Sequence, residues 1–337
     1  MIIVPSLEKT DDRFKECFGK GIHTTGPLAS SGAGLRIEGL DLAKKLNPEQ
    51  AECLIDALAY YRIVSIPDQN QPQFGLHQLE RFANHWGAPI PHPSNFLRGG
   101  KPAQADGSTD GDIQFIPLEK RAIQSINAVF PSELQTLEHT SPAVFVVSNF
   151  REPRDKTVTG FAKMPRTARG GTWHTDIEYE PEPLTVSMFL VQNMPTARHG
   201  SDHTWVEDPE ILEPIIGPYI EGSPDLLMTR RKKLPLNGET AFVDTAAAYA
   251  ALDREQQRTL DVIQVRRRLN IGDTGWLAPI VRTHPISRIK SLHSPIWASR
   301  PNVRPAIEIN GMNASDSRKF LDDIESHILK PEFRYDH

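Results

Sequence analysis

An antiparallel β-sandwich with helices packed outside it is the fold class this sequence predicts, on three observations. Twenty-eight prolines and twenty-two glycines are spread along the whole of its 337 residues, which suits short strands joined by many loops rather than a helical bundle. Strand-like runs dominate the middle of the chain and helix-like runs its flanks. No regular β-α-β alternation connects them, so a doubly wound parallel sheet is not expected.

The elements follow in order. Leu35-Arg36-Ile37-Glu38-Gly39-Leu40 alternates as a strand does and stops at Asp41. Asn47 and Pro48 open a helix, one as cap and the other as a residue suited to the first turn. Its apolar positions Cys53, Leu54, Ala57 and Leu58 recur at helical spacing. Ile63 to Ile66 reads as a short strand closed by Pro67-Asp68-Gln69, and a second helix is expected from Gly75 to Trp86. The run from Gly99 to Asp112, GGKPAQADGSTDGD, reads as a surface loop. Ala143 to Val147 is a nearly continuous apolar strand, and Leu184 to Val191 (LTVSMFLV) a strong one. Glu239 to Val243 predicts a strand and Thr245 to Leu252 a helix. Asp253 can cap the next helix, expected to run from Arg254 towards Leu269. Asp316 to Leu329 is the last amphipathic helix.

The length allows one large domain or two modest ones. A net charge of −5 and an isoelectric point near 6.2 speak against a nucleic-acid or membrane-surface partner. No apolar run approaches the roughly 18 to 20 residues that span a bilayer. The N-terminal residues lack the apolar core of a signal peptide, so a cytoplasmic location is expected. Cys17 and Cys53 have no metal-like spacing and read as thiols in a reducing compartment, not as a disulfide framework. Arg230-Arg231-Lys232-Lys233 reads as a solvated charge run rather than an anion site.

The richest stretch is Trp173-His174-Thr175-Asp176. On an extended strand, residues two apart share a face, so His174 and Asp176 offer an imidazole and a carboxylate to one divalent ion. With a second His they would make the two-His, one-carboxylate face of non-haem Fe(II) oxygenases, which leaves positions open for substrate and O₂. By itself the pair also fits an ordinary surface strand.

Several further segments stand in a telling order. Gly39-Leu40-Asp41-Leu42 is followed by a helix and by Arg62-Ile63-Val64-Ser65-Ile66-Pro67-Asp68-Gln69. Trp86-Gly87 and His92-Pro93 come next, then the Trp-His-Thr-Asp stretch. Asn237-Gly238-Glu239-Thr240 leads into Ala241-Phe242-Val243-Asp244 and Ala247-Ala248-Tyr249. Arg282-Thr283-His284-Pro285 and Pro331-Glu332-Phe333-Arg334-Tyr335 close the series. From about residue 32 onward these segments resemble the taurine dioxygenase and 2,4-dichlorophenoxyacetate dioxygenase family of Fe(II)/2-oxoglutarate oxygenases. Roughly residues 93–141 and 196–236 are foreign to it, and the chain is expected to be a single domain carrying them as insertions.

The resemblance implies a mainly β fold with flanking helices, built on a double-stranded β-helix (jelly-roll) core. It implies Fe(II) as metal and 2-oxoglutarate as co-substrate, converted to succinate and CO₂ while O₂ oxidises a small organic molecule. His174 and Asp176 would be metal ligands and Thr240 would hold the co-substrate carboxylate. His92 would face the substrate. Because Asp176 is a carboxylate where halogenating relatives have a small residue, hydroxylation or desaturation is expected. Gly170 stands where taurine-cleaving relatives carry Asn, which argues against assuming a sulfonate substrate. No oligomeric state is fixed, and a homo-oligomer is compatible with the sequence.

The third ligand stays open. In relatives the second iron His and the co-substrate Arg follow a Trp-Asp-Asn segment that comes after the Glu-Phe-x-Tyr landmark, whereas the sequence given ends at Tyr335-Asp336-His337. His284 belongs to a landmark distinct from the iron ligand, and His293 and His337 are weaker substitutes. The alternative expectation is therefore a catalytically incomplete or partner-dependent scaffold with the same fold.

Overall fold

Ser6 begins the first element, a helix that the sequence reading did not predict. In the computed structural model, which describes residues 2–69, 73–91, 96–98, 101–102, 113–115, 143–144, 175–176, 182, 184–191, 240–267, 274–293 and 308–337, helix α1 spans Leu7–Phe18. The Ser6 hydroxyl accepts from Lys9 N at 3.4 Å, satisfying one of the first-turn amides. Thr10 and Phe14 form its buried face, and the Phe14 and Phe18 rings stack one turn apart.

Strands β1 (His23–Thr25) and β2 (Leu35–Glu38) pair antiparallel, and β3 (Val64–Ser65) runs parallel to β2. Gly39 ends β2 with φ at +81°, and a Cβ there would stand 2.6 Å from the Gly21 carbonyl oxygen. Only glycine meets both conditions. Helix α2 (Pro48–Tyr61) starts as the sequence predicts, with a reciprocal capping box between Asn47 and Gln50. Helix α3 (Leu76–Ala83) continues as a 3-10 turn over Asn84–Trp86. Together these elements enclose one apolar cluster, centred on Phe14, Leu35, Ile37, Cys53 and Leu54. Strands β4 (Phe96–Arg98), β5 (Lys101–Pro102) and β6 (Ile113–Phe115) form a small sheet of their own, ordered β5-β4-β6.

A second cluster lies in the later part of the chain. Strand β7 (Ala241–Val243) leads into helices α4 (Thr245–Ala250) and α5 (Arg254–Val262). Strands β8 (Gln264–Arg267), β9 (Trp276–Pro279), β10 (Val281–Thr283), β11 (Lys290–Leu292) and β12 (Glu308–Ile309) follow. Helix α6 (Ala314–Ile328) and strand β13 (Arg334–Asp336) complete it. The sheets are β12-β8-β9, β10-β11 and β13-β7, all antiparallel. Val265, Ile280, Leu292, Ile309, Leu321 and Ile328 fill the core between them.

Two expectations are corrected. The helix predicted towards Leu269 stops at Val262, because Ile263 turns extended (φ −70°, ψ 130°). From Gln264 the burial alternates, and β8 is claimed on both sides by β9 and β12. The run Leu184 to Val191, predicted as a strong strand, has the exposure pattern of one but joins no ladder among the described residues: alternate positions are half-buried and exposed. Of the strand predicted over Ala143 to Val147, only residues 143 and 144 are described, and neither is in a strand. At the level of class, strands flanked by helices are present as expected. The two foreign stretches lie almost entirely outside the described residues.

Candidate metal and co-substrate site

The pairing of β7 with β13 places the first candidate. Thr240 N donates to the His337 carbonyl and His337 N to the Thr240 carbonyl, both at 2.9 Å. Phe242 lies opposite Tyr335 in the same register. Residues two apart share a face and directly opposed residues face the same way, so Thr240, Phe242, Tyr335 and His337 line one side of this ribbon. Consistent with that, the Tyr335 hydroxyl and His337 Nδ1 are 2.8 Å apart. Burial raises the Tyr335 phenol above its ordinary value, only partly opposed by nearby Arg36, so it stays a protonated hydroxyl at neutral pH.

The segment 184–191 comes to this same side. The Phe189 and Phe242 rings meet edge to face with centroids 6.3 Å apart, an arrangement aromatic quadrupoles favour. Two residues earlier on the same face, the Ser187 hydroxyl donates to Asp176 Oδ2 at 3.2 Å. The alternate residue Leu190 packs against the first apolar cluster. Asp176 is thus tied through Ser187 and Phe189 to the strand that begins beyond Thr240.

Asp176 is half-buried, and Thr240 is exposed. His174 and His92 lie outside the described residues, as does the Arg230 to Lys233 run. Among the described residues, no three His, Cys, Asp or Glu side chains are gathered as a metal site would require. The other histidines have defined surroundings. His284 Nδ1 accepts from Ile286 N at 3.2 Å and Ser287 N at 3.3 Å, and burial lowers its pKa. A neutral ring accepting at Nδ1 carries its proton on Nε2, so His284 serves its own turn. His293 is pushed down to about 3 by burial and by Arg267 and Arg282, surroundings that repel a cation.

Sequence reasoning missed Ser187 and Phe189. The only signal for them was their shared parity in an apolar run, which does not name their partners.

Residues 217–337 match the model of the taurine catabolism dioxygenase TauD, TfdA family. The matched stretch includes Thr240 and the β7–β13 pair but not Trp173 to Asp176. It is 27% identical over 208 residues to the alpha-ketoglutarate-dependent dioxygenase esdpJ of Penicillium shearii, covering 55% of this chain and 52% of that protein. It is 24% identical over 214 residues to the pentalenolactone F synthase of Streptomyces arenae, covering 58% and 56%. The alpha-ketoglutarate-dependent 2,4-dichlorophenoxyacetate dioxygenase of Cupriavidus pinatubonensis is 29% identical over 119 residues, 31% of this chain and 39% of that one. The chain therefore spans about half the length of the first two of these relatives.

Among solved structures, AAD-2 in complex with Mn(II) and N-oxalylglycine is similar at 19% identity and a TM-score of 0.46, over 94% of this chain and 83% of that one. A taurine dioxygenase from Burkholderia xenovorans is similar at 17% identity and a TM-score of 0.47, over 94% and 77%. Neither likeness is close enough to bear on the site. No helix among the described residues is long and apolar enough to cross a membrane.

Proposed function

We propose that this chain is an Fe(II)- and 2-oxoglutarate-dependent dioxygenase, a single domain on a double-stranded β-helix core with insertions at about 93–141 and 196–236. It would hydroxylate or desaturate a small organic substrate and release succinate and CO₂. The observation that carries the reading is the chain of contacts from Asp176 through Ser187 and Phe189 to Phe242, beside Thr240. It brings the residue that resembles a metal ligand to the strand that resembles the co-substrate's holder. The relatives' names, all but one of which specify alpha-ketoglutarate dependence, support it.

The two proposed ligands are of types that suit the metal. An imidazole and a hard carboxylate oxygen suit Fe(II), and the Ser187 hydroxyl donates to the Asp176 carboxylate. His174 and Asp176 would hold the ion, which supplies oxygen activation when bound. Thr240 would donate its hydroxyl to the co-substrate carboxylate. The Phe189–Phe242 ring contact places an aromatic pair on that side of the ribbon. His92 is proposed to face the substrate, and the third ligand is left unassigned.

The test is anaerobic addition of Fe(II) and 2-oxoglutarate to the folded protein. A visible metal-to-ligand charge-transfer band supports the enzyme. A blank spectrum supports the incomplete or partner-dependent scaffold instead. In air, Asp176→Ala should abolish 2-oxoglutarate decarboxylation, and full decarboxylation by that variant would refute the assignment.

A further inference from the structure

We infer that one face of the β10–β11 hairpin binds a small oxyanion, a carboxylate or a phosphate, through Arg282 with His284 and Ser291 beside it. This does not depend on the assignment of Asp176 or Thr240. It gives a role to the Arg282-Thr283-His284-Pro285 landmark, which the proposed chemistry leaves unused.

The hairpin has two unlike faces. Arg282 stands directly opposite Ser291, and residues two apart share a face, so Arg282, His284, Ser291 and His293 lie on one side. The other side carries Val281, Lys290 and Leu292. Val281 and Leu292 pack into the second apolar cluster. Lys290 Nζ reaches Asp261 Oδ2 at 2.6 Å and lies 5.8 Å from the Tyr249 ring centroid. The contacts with α4, α5 and the core thus occupy this second side.

The first side is rich in donors. Arg282 is half-buried, and its Nε is enclosed with no hydrogen-bond partner. Burial lowers its pKa, and no carboxylate opposes that shift. His284 Nδ1 accepts from Ile286 N and Ser287 N, which leaves Nε2–H as a donor. Close by, Arg267 Nη2 donates to the His293 carbonyl at 3.4 Å. Burial first, then Arg267 and Arg282, push the His293 pKa down, so the positive field of this side reaches a third residue.

A guanidinium does not give up its proton inside a protein, so enclosing it without a counter-charge is costly. Buried polar atoms without partners are rare in folded proteins. An oxyanion offsets both costs at once. Its paired oxygens match the planar guanidinium fork, and the imidazole N–H and the Ser291 hydroxyl are further donors to the same charge. A metal cation is repelled by the same field.

The experiment compares urea midpoints of the full wild-type chain and Arg282→Met in sodium chloride, sodium phosphate and sodium acetate at equal ionic strength. In chloride, Arg282→Met should be at least as stable as wild type, because it removes a desolvated charge that has no partner. Phosphate raises every midpoint somewhat through its exclusion from the protein surface. Wild type should gain more than the variant, and the excess is the stabilisation contributed by bound ion. Loss of the guanidinium should weaken the anion at least about tenfold, which removes that excess. An excess in phosphate alone identifies a phosphate site, in acetate alone a carboxylate site, and in both an oxyanion site that does not distinguish them. Equal gains by the two proteins in both salts overturn the proposal. So does an Arg282→Met protein that is destabilised in chloride or fails to fold, which would make the guanidinium a structural group that needs no anion.

Discussion

Arg62 and Asp244 divide one carboxylate between two tasks. The Arg62 guanidinium donates Nε and Nη2 to Asp244 Oδ2 at 3.2 and 2.9 Å, while Asp244 Oδ1 accepts from Ala246 N and Ala247 N at 3.1 and 3.0 Å. One oxygen caps α4 and the other binds the residue that ends α2, 182 positions earlier. Arg62 itself sits in the left-handed region at φ 67°, which turns the chain sharply from α2 into β3. The two side chains are 16% and 4% exposed. The pair therefore joins the first apolar cluster to the helix that follows the Thr240 strand.

A buried ion pair adds little over an apolar pair, but breaking it is expensive because it leaves a buried charge alone. Arg62→Ala should therefore cost about 3 to 5 kcal/mol. Asp244→Asn, which keeps a capping oxygen, should cost less than Asp244→Ala, which also loses about 1 kcal/mol of cap. Urea denaturation of the three variants checks this ranking. An Asp244→Ala protein as stable as Asp244→Asn would show that the cap contributes nothing.

His293 predicts an acid-sensitive core. Burial is the main cause of its depressed pKa of about 3, with Arg267 and Arg282 adding repulsion. The unfolded ring takes a proton below its ordinary value of 6.5 and the folded ring does not, so protons favour unfolding. This stability is present above about pH 6.5 and is lost as pH falls towards 3. The slope is at most one proton, about 1.4 kcal/mol per pH unit. Comparing urea midpoints of wild type and His293→Gln from about pH 7 to about pH 4.5 tests it. The variant's midpoint should fall less steeply, and parallel curves would count against this role.

The two thiols should separate chemically. Cys53 is 1% exposed in the first apolar cluster, and burial, with Cys17 beside it, pushes its thiol up to about 12. Cys17 is half-exposed. Since the thiolate is the nucleophile, a disulfide reagent at about pH 8 should modify one thiol in the folded protein and two in denaturant. Cys17→Ser should leave the folded protein inert. The same shift makes alkali destabilising: the contribution is present below about pH 9 and is lost as pH rises towards 12, because the unfolded thiol ionises first. Rapid modification of Cys53 in folded Cys17→Ser protein would contradict this.

What was legible in the sequence was what neighbouring residues decide. The Asn47–Gln50 box and the Asp253 cap bond within three residues, so composition at the cap suffices. The end of α5 was not legible, because the strand after it is stabilised by β9 and β12, contributed from further along the chain. Leu184 to Val191 has the period of a strand, yet period alone does not supply a ladder partner. Helix α1 had a readable signal in Ser6 and the Phe14–Phe18 spacing that the reading passed over. At the site, Asp176 and Thr240 came from motif resemblance. The Ser187 contact, eleven residues from Asp176, and the Arg62–Asp244 pair leave no mark on any local pattern.

Thr240 gives the cleanest separation of fold from function. Its backbone, not its side chain, pairs with His337, by two bonds of 2.9 Å. Valine has nearly the same shape and a high strand propensity, so Thr240→Val should keep the β7–β13 ribbon and its thermal midpoint. What it removes is a hydroxyl donor. A hydrogen bond to a charged carboxylate contributes about 1.5 to 3 kcal/mol, so 2-oxoglutarate affinity should fall at least about tenfold, while Thr240→Ser should retain most of it. Anaerobic titration of the Fe(II) protein with 2-oxoglutarate, read by the charge-transfer band, measures the change directly. If Thr240→Val bound the co-substrate as wild type does, the hydroxyl would have no part in holding it, and the strand would owe its threonine to the sheet alone.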